Sequence, residues 1–92
     1  MYTVTRFKVE DYDKFKQLFL EDEATAWRHS YGSRGGRLFR SSSDPKEIIL
    51  LQEFDDPEKA RQLSQSNELR ERRQRAGVVG QVESYEEVEH FR

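Results

Sequence analysis

Apolar residues recur along the chain with two alternating periods, and each change of period marks a new element. Tyr2 to Val9 (YTVTRFKV) is rich in β-branched and aromatic residues and reads as a first strand. At Glu10 the period lengthens. Tyr12, Phe15, Leu18 and Phe19 recur at spacings of three and four, the signature of one helical face, with Asp13, Lys14, Lys16, Gln17 and Glu21 opposite them. Asp11 or Asp13 supplies the N-cap, and the helix is expected to run to about His29, with Ala26 and Trp27 extending its buried side. Tyr31-Gly32 and Gly35-Gly36 end that helix and start the next element. Arg37 to Ser41 reads as a second strand, Ser42-Ser43-Asp44-Pro45 as a turn, and Glu47 to Phe54 (EIILLQEF) as a third strand, so that the two form a hairpin. Asp55-Asp56-Pro57-Glu58 is a helix start with an Asp cap, Pro in the first turn and an acid at the positive dipole end. The second helix is expected to reach about Ala76, with a break near Ser66-Asn67, and Gly77 ends it. Val78 to Val88 reads as the last strand, with a bulge at Gly80, and Glu89 to Arg92 forms a charged tail.

The order is therefore β-α-β-β-α-β, an α+β arrangement of the ferredoxin-like kind. Right-handed crossovers place both helices on one face of a four-stranded antiparallel sheet of order 4-1-3-2. The other face is left bare. A sheet with one wet face alternates apolar and polar residues, but Ile48, Ile49, Leu50 and Leu51 are all apolar, and Val78-Val79 repeat the signal. Both faces want cover. A second copy of the same sheet is the simplest cover, giving a homodimer and a dimeric α+β barrel; a terminal segment folded over the face is the competing arrangement.

Composition narrows the picture. Ninety-two residues make one domain, 1–92. At 34% hydrophobic and 37% charged, with no cysteine, the chain is apolar-poor and has no disulfide to compensate, which again favours burial against a partner. The missing cysteines fit a reducing compartment, so the expected location is cytoplasmic. No apolar run has the length of a signal peptide or a membrane span, and no membrane partner is expected. The net charge of −2, with acids and bases interspersed, is not that of a nucleic-acid binder.

Several residues could carry chemistry. Trp27, His29 and Tyr31 end the first helix. His29 is of the residue type that serves as a general base at neutral pH and could act as one, Tyr31 could hydrogen-bond a substrate oxygen, and Trp27 could stack on a flat ring. A helical Trp is more commonly core, and a His near a helix C-terminus is favoured by the dipole alone. Arg6, on a central strand, could orient a carboxylate or enolate, or be only a salt-bridge partner, with Glu53 for instance. Phe39 and Tyr85 are candidate aromatic pocket walls, as are Tyr2, Phe7 and Phe54, the last two more simply as core. Gln52 or Glu53 must face inward or toward a partner, so Gln52 is a candidate pocket hydrogen-bonder. The basic cluster Arg70, Arg72, Arg73 and Arg75 reads as a solvated helical face, because Glu68–Arg72 and Glu71–Arg75 have i, i+4 spacing. Gly32-Ser33-Arg34-Gly35-Gly36 lacks phosphate-loop spacing and leads into a strand. No Cys/His or carboxylate set has metal spacing, and nothing arranges a triad around a serine.

Across nearly its whole length the chain resembles the dimeric α+β barrel superfamily that includes antibiotic-biosynthesis-monooxygenase (ABM) domains. The residues carrying the resemblance are Leu38-Phe39-Arg40-Ser41 through Asp44-Pro45 into Ile48–Phe54, the junction Asp55-Asp56-Pro57-Glu58-Lys59-Ala60-Arg61, and Ser66 to Glu71 with Ala76-Gly77-Val78. The resemblance implies a pocket in each subunit between the helices and the sheet, where many members act on small aromatic or polyketide-like molecules. Some ABM oxygenases use neither metal nor flavin, because the substrate supplies electrons to oxygen, so no cofactor is expected. The heme-degrading branch resembles this chain less. The second helix has no His, the first strand has no Asn, and Asn67 is the only asparagine.

Two functions lead. One is a cofactor-independent monooxygenase or cyclase acting on a small aromatic or polyketide-like substrate, with His29, Arg6 and Tyr31 as catalytic candidates and Trp27, Phe39, Gln52 and Tyr85 as substrate-binding ones. The other is a non-catalytic module that binds a small aromatic ligand or a partner. A structural dimer whose pocket is filled by its own side chains is a third. Fold likeness alone does not choose among them.

Overall fold

The computed structural model describes residues 1–92. Strands β1 (Tyr2–Val9), β2 (Ser33–Arg40), β3 (Glu47–Phe54) and β4 (Val78–Glu86) form one sheet in the order β2-β3-β1-β4, with every neighbouring pair antiparallel. Helices α1 (Tyr12–Phe19) and α2 (Asp22–Ser30) connect β1 to β2, and α3 (Pro57–Ser64) and α4 (Asn67–Arg75) connect β3 to β4. The α+β, ferredoxin-like arrangement is the one the sequence predicts.

Both crossovers are broken helices. The break in the second is the one expected at Ser66, whose hydroxyl caps α4 by accepting from the Leu69 N–H. The break in the first corrects the expectation of a single helix to His29. Leu20 caps α1, and Glu21 (φ −58°, ψ 145°) leaves the helical region. The reason lies in Glu21-Asp22-Glu23. In a continuous helix these acids would sit in the middle, where they gain nothing from the dipole. As the start of α2, Asp22 and Glu23 lie at a positive helix end. Strand limits also shift. β2 begins at Ser33 rather than Arg37, entering through an irregular register between Ser33 and Gly36. β4 ends at Glu86 rather than Val88. The bulge expected near Gly80 is present: β4 runs from Val79 to Glu83 while β1 runs only from Lys8 to Arg6. Gly32 and Gly77 follow the C-caps of α2 and α4 at φ 82° and 78°, where a side chain would be strained.

The period of two sorts β3 cleanly. Ile48, Gln52 and Phe54 are buried beneath the helices, while Ile49 is exposed on the opposite face. Beneath the helices the apolar side chains gather in two clusters. Phe7, Val9, Phe15, Ile48 and Ala76 form the first, with Phe7 and Phe15 edge to face at 5.3 Å. Phe54, Ala60 and Leu63 form the second, with Trp27, Tyr31 and Leu69 packed on it. Ile48 and Val9 are fully buried, each contributing about 1.5–3 kcal/mol. Between the clusters the central strands carry polar residues instead: on β1, Thr3 is paired across the sheet with Gln52 on β3 and Glu86 on β4, and Thr5 with Ser84 on β4.

The opposite face has no helix. Tyr2, Phe39, Ile49, Val79 and Tyr85 are 37–56% exposed, and the register sets Tyr2, Val4 and Arg6 beside Glu53, Leu51 and Ile49, and Val4 beside Tyr85. No helix of the chain is long and apolar enough to cross a membrane.

Candidate functional site

The gap between the two clusters opens into a cavity of about 310 Å³. Its floor is Thr3, Thr5, Gln52 and Ser84. Its walls are aromatic and aliphatic, with Phe7, Phe15, Phe19, Leu50 and Phe54 from the sheet and α1, Trp27 from α2, and Leu63 and Leu69 from α3 and α4. Gln52 is buried and its Oε1 accepts from the Ser33 hydroxyl at 2.9 Å. That bond fixes the amide at the bottom of the site.

Charge collects on the helical side. Arg28, Arg61, Arg72, Arg73 and Arg75 line the cavity against Glu21, Glu23 and Glu86, so a chain of net charge −2 presents a surplus of positive charge there. The arginines are unequal. Arg72, only 14% exposed, is saturated: it donates to Glu23 Oε1 and Oε2, the latter at 3.0 Å, and to Glu68 Oε2 at 2.8 Å, and it stacks 4.4 Å over the Trp27 ring. This network ties α2 to α4. The hydrogen bond and charge of Arg72 hold the Glu23 carboxyl below the usual range. Arg61 lies 3.6 Å from Glu86 and 3.7 Å from Glu58.

Arg28 and Arg73 are different. Both are partly buried, and no carboxylate offsets either charge. Desolvation lowers the pKa of Arg28, aided by repulsion from Arg72, and desolvation alone lowers that of Arg73. Arg28 finds only the Thr25 hydroxyl at 3.2 Å and the face of Phe19 at 3.9 Å. Trp27, on the same wall, buries its indole N–H with no acceptor. No group of three or more His, Asp or Glu side chains is arranged to hold a metal ion.

The residues singled out from the sequence do not gather in one place. Trp27 and Gln52 stand in the cavity. Tyr31 packs at the second cluster, edge-on to Trp27 at 5.8 Å, without lining the cavity. His29, two residues from Trp27, is exposed on the solvent side of α2; positions i and i+2 of a helix do not share a face. Arg6 and Phe39 lie on the open sheet face. Arg6 donates to Glu83 at 2.8 Å and lies 3.6 Å from Glu47, rather than pairing with Glu53, and these acids raise its pKa. Tyr85 borders the cavity, but its hydroxyl donates to Glu83 at 2.7 Å, outside it. The expectation that the basic cluster is a solvated face holds for Arg70 and Arg75, both exposed, although Arg75 also borders the cavity; Arg72 and Arg73 are partly buried along it. The Glu68–Arg72 pair forms as expected. What sequence reasoning missed was the pair Arg28 and Arg73. The available signal was an arginine beside Trp27 on the apolar side of one helix and an arginine run on a helix otherwise poor in apolar residues.

Comparison with known proteins gives a likeness of fold. No family model matches the chain, and no curated protein matches it in sequence. Among solved structures, a candidate antibiotic biosynthesis monooxygenase from Caulobacter crescentus CB15 superposes with a TM-score of 0.68 at 17% identity, covering 96% of this chain and 89% of the other. SnoaB, a cofactor-independent oxygenase from Streptomyces nogalater, gives 0.63 at 13% identity over 97% and 93%. A conserved protein from Methanosarcina mazei Go1 gives 0.62 at 15% over 91% and 86%. The chain has the fold of the ABM-domain structures, as its sequence resemblance implies.

Proposed function

We propose that the protein is a small-molecule enzyme of the cofactor-independent monooxygenase type, acting on a flat aromatic or polyketide-like substrate in the cavity between helices and sheet. The observation that carries this reading is the cavity itself. A domain of this size has little core to spare, yet it leaves about 310 Å³ open between two apolar clusters, with aromatic walls and a polar floor suited to a ring bearing oxygen substituents. The likeness to SnoaB supports the reaction type. In such a reaction an activated ring methylene becomes a carbonyl; one atom of dioxygen enters the product and the other leaves as water, the substrate supplying the electrons. The aromatic walls flank the ring, and Gln52 with Thr3, Thr5 and Ser84 meets its oxygens.

A second reading, a binding module without turnover, draws on a specific observation: no histidine lines the cavity, so no ordinary neutral-pH base stands in it. Incubation with anthrone under air separates the two. An enzyme converts anthrone to anthraquinone with one dioxygen consumed per quinone, followed by absorbance and oxygen uptake, at a rate well above that in buffer. Binding without acceleration would leave the module.

We also propose that the working form is a homodimer built through the open sheet face. Five large apolar side chains are exposed there, and most of the charge among them is already paired within the chain, Arg6 with Glu83 and Glu47, and Lys8 with Asp44 at 3.2 Å. Such a face is self-complementary and suits a two-fold interface.

A further inference from the structure

We infer that the ligand of the cavity is a planar organic anion, a ring bearing a carboxylate or an ionised phenol or enol, and that Arg28 and Arg73 are the groups that receive its charge. The inference rests on the small-molecule reading above and specifies its substrate class. Three observations carry it. First, the cavity lining holds five arginines against three glutamates. Second, Glu23 is committed to Arg72 and Glu86 to Arg61, which leaves Arg28, Arg73 and Arg75 without an ion pair; Arg75 is exposed, as is Glu21, the remaining acid of the lining, so Arg28 and Arg73 are the partly buried cations without a counter-ion. Third, both are partly desolvated, which costs free energy that folding alone does not recover. A structural arginine would be expected to have a carboxylate beside it, as Arg72 does. A binding arginine has its partner missing until the ligand arrives.

The remaining chemistry agrees. Guanidinium forks match planar oxyanions in geometry. Trp27 stands on the same wall, and its buried indole N–H is a further donor with no acceptor. Anions are also what such a site should select if it serves an oxygenase. The ionised ring is the electron-rich form, and nearby guanidinium charge lowers the pKa at which it forms. The absence of a cavity histidine then ceases to be a difficulty, because the substrate ionises in the arginine field and loses its proton to water.

The test uses three matched probes: 2-naphthoate, 2-naphthol and the neutral 2-naphthamide. Binding to the full chain is measured by calorimetry and by the indole N–H resonance, a single peak because the chain has one tryptophan. Naphthoate at pH 7 should bind at least about tenfold more tightly than naphthamide, a difference of about 1.4 kcal/mol, and should shift the Trp27 resonance. Naphthol should gain affinity as pH approaches its pKa if the phenolate is the preferred source, and stay at the naphthamide level if only carboxylates are taken. Arg28→Met and Arg73→Met should each reduce the naphthoate preference while leaving naphthamide binding in place, with circular dichroism confirming the fold. Equal affinity for naphthoate and naphthamide would overturn the anion inference and leave the small-molecule cavity intact. Failure of all three probes to bind or to shift Trp27 would overturn both.

Discussion

Replacing Arg73 with methionine should make the protein more stable. Arg73 sits on α4 over the cavity, partly buried, and desolvation is the only influence on its charge. A fully buried unpaired ion costs several kcal/mol, but the partial exposure of this group lets water recover most of that. The net penalty is about 0.5–1 kcal/mol. Methionine keeps an unbranched stem of similar length against the cavity wall and has nearly the same helix propensity as arginine, so neither packing nor backbone preference opposes the gain. For a domain of this size each kcal/mol moves the midpoint by roughly 4–8 °C, which places the expected rise at about 2–8 °C. The assay is thermal and urea unfolding followed by circular dichroism, at one protein concentration because an oligomer's midpoint depends on it. The urea midpoint should rise with an unchanged slope. Arg70→Met, an exposed arginine on the same helix, is the control and should change stability by less than about 0.5 kcal/mol. A lower midpoint for Arg73→Met would refute the reasoning, because it would mean that the guanidinium has a favourable partner in the folded chain.

The ion network around Arg72 should behave in the opposite way: Arg72→Met should cost about 1–2 kcal/mol by urea unfolding, since it removes two ion pairs, the stack on Trp27 and the tie between α2 and α4. The carboxyl of Glu23 is held low in the folded state, so its contribution is present above the unfolded glutamate pKa of about 4.3 and fades as pH falls through the lower folded value. Wild type should therefore lose more stability than Glu23→Gln between about pH 5 and pH 3; parallel profiles would remove the pair from the account. On the open face, Ile49→Lys should convert the proposed dimer to a monomer in light scattering with an unchanged circular dichroism spectrum, and a dimer that persists in the variant would place the interface elsewhere.

How much of this was legible in the sequence follows from which signals are local. Strand register and helix caps are local, and Asp56, Ser66 and Gly77 act where their residue types predict. The two-faced character of β3 was legible too, because a run of four apolar residues in a strand cannot all lie on one side. The break at Leu20-Glu21 was missed because an amphipathic stripe resumes after it, and only the placement of three consecutive acids hinted at a new helix start. The site was harder. Grouping Trp27, His29 and Tyr31 by proximity in sequence ignored the turn of the helix, which carries His29 out to solvent and leaves Trp27 facing Tyr31. Phe39 and Leu38 are neighbours on β2, and only the pleat decides that Leu38 packs toward the core while Phe39 stays exposed on the open face. The convergence of Arg28 and Arg73 on one cavity depends on two helices far apart in the chain.

The cavity is a consequence of choices made at several separate positions, and together they argue against an accident of loose packing. Each crossover is two short helices, so the helical layer bends over the sheet at Leu20-Glu21 and Gln65-Ser66 and does not close along one straight line. Beneath the bend the strands offer the polar residues Thr3, Thr5, Gln52 and Ser84, and the two apolar clusters stay separate. Filling that gap would add burial to a chain that is 34% hydrophobic and has no disulfide, the simplest gain in stability open to it. The chain instead keeps the floor polar, lines the walls with rings and turns two uncompensated cations toward the space. Each feature costs stability on its own. A structural dimer has no use for that combination, whereas a site for a flat, negatively charged molecule needs all of them.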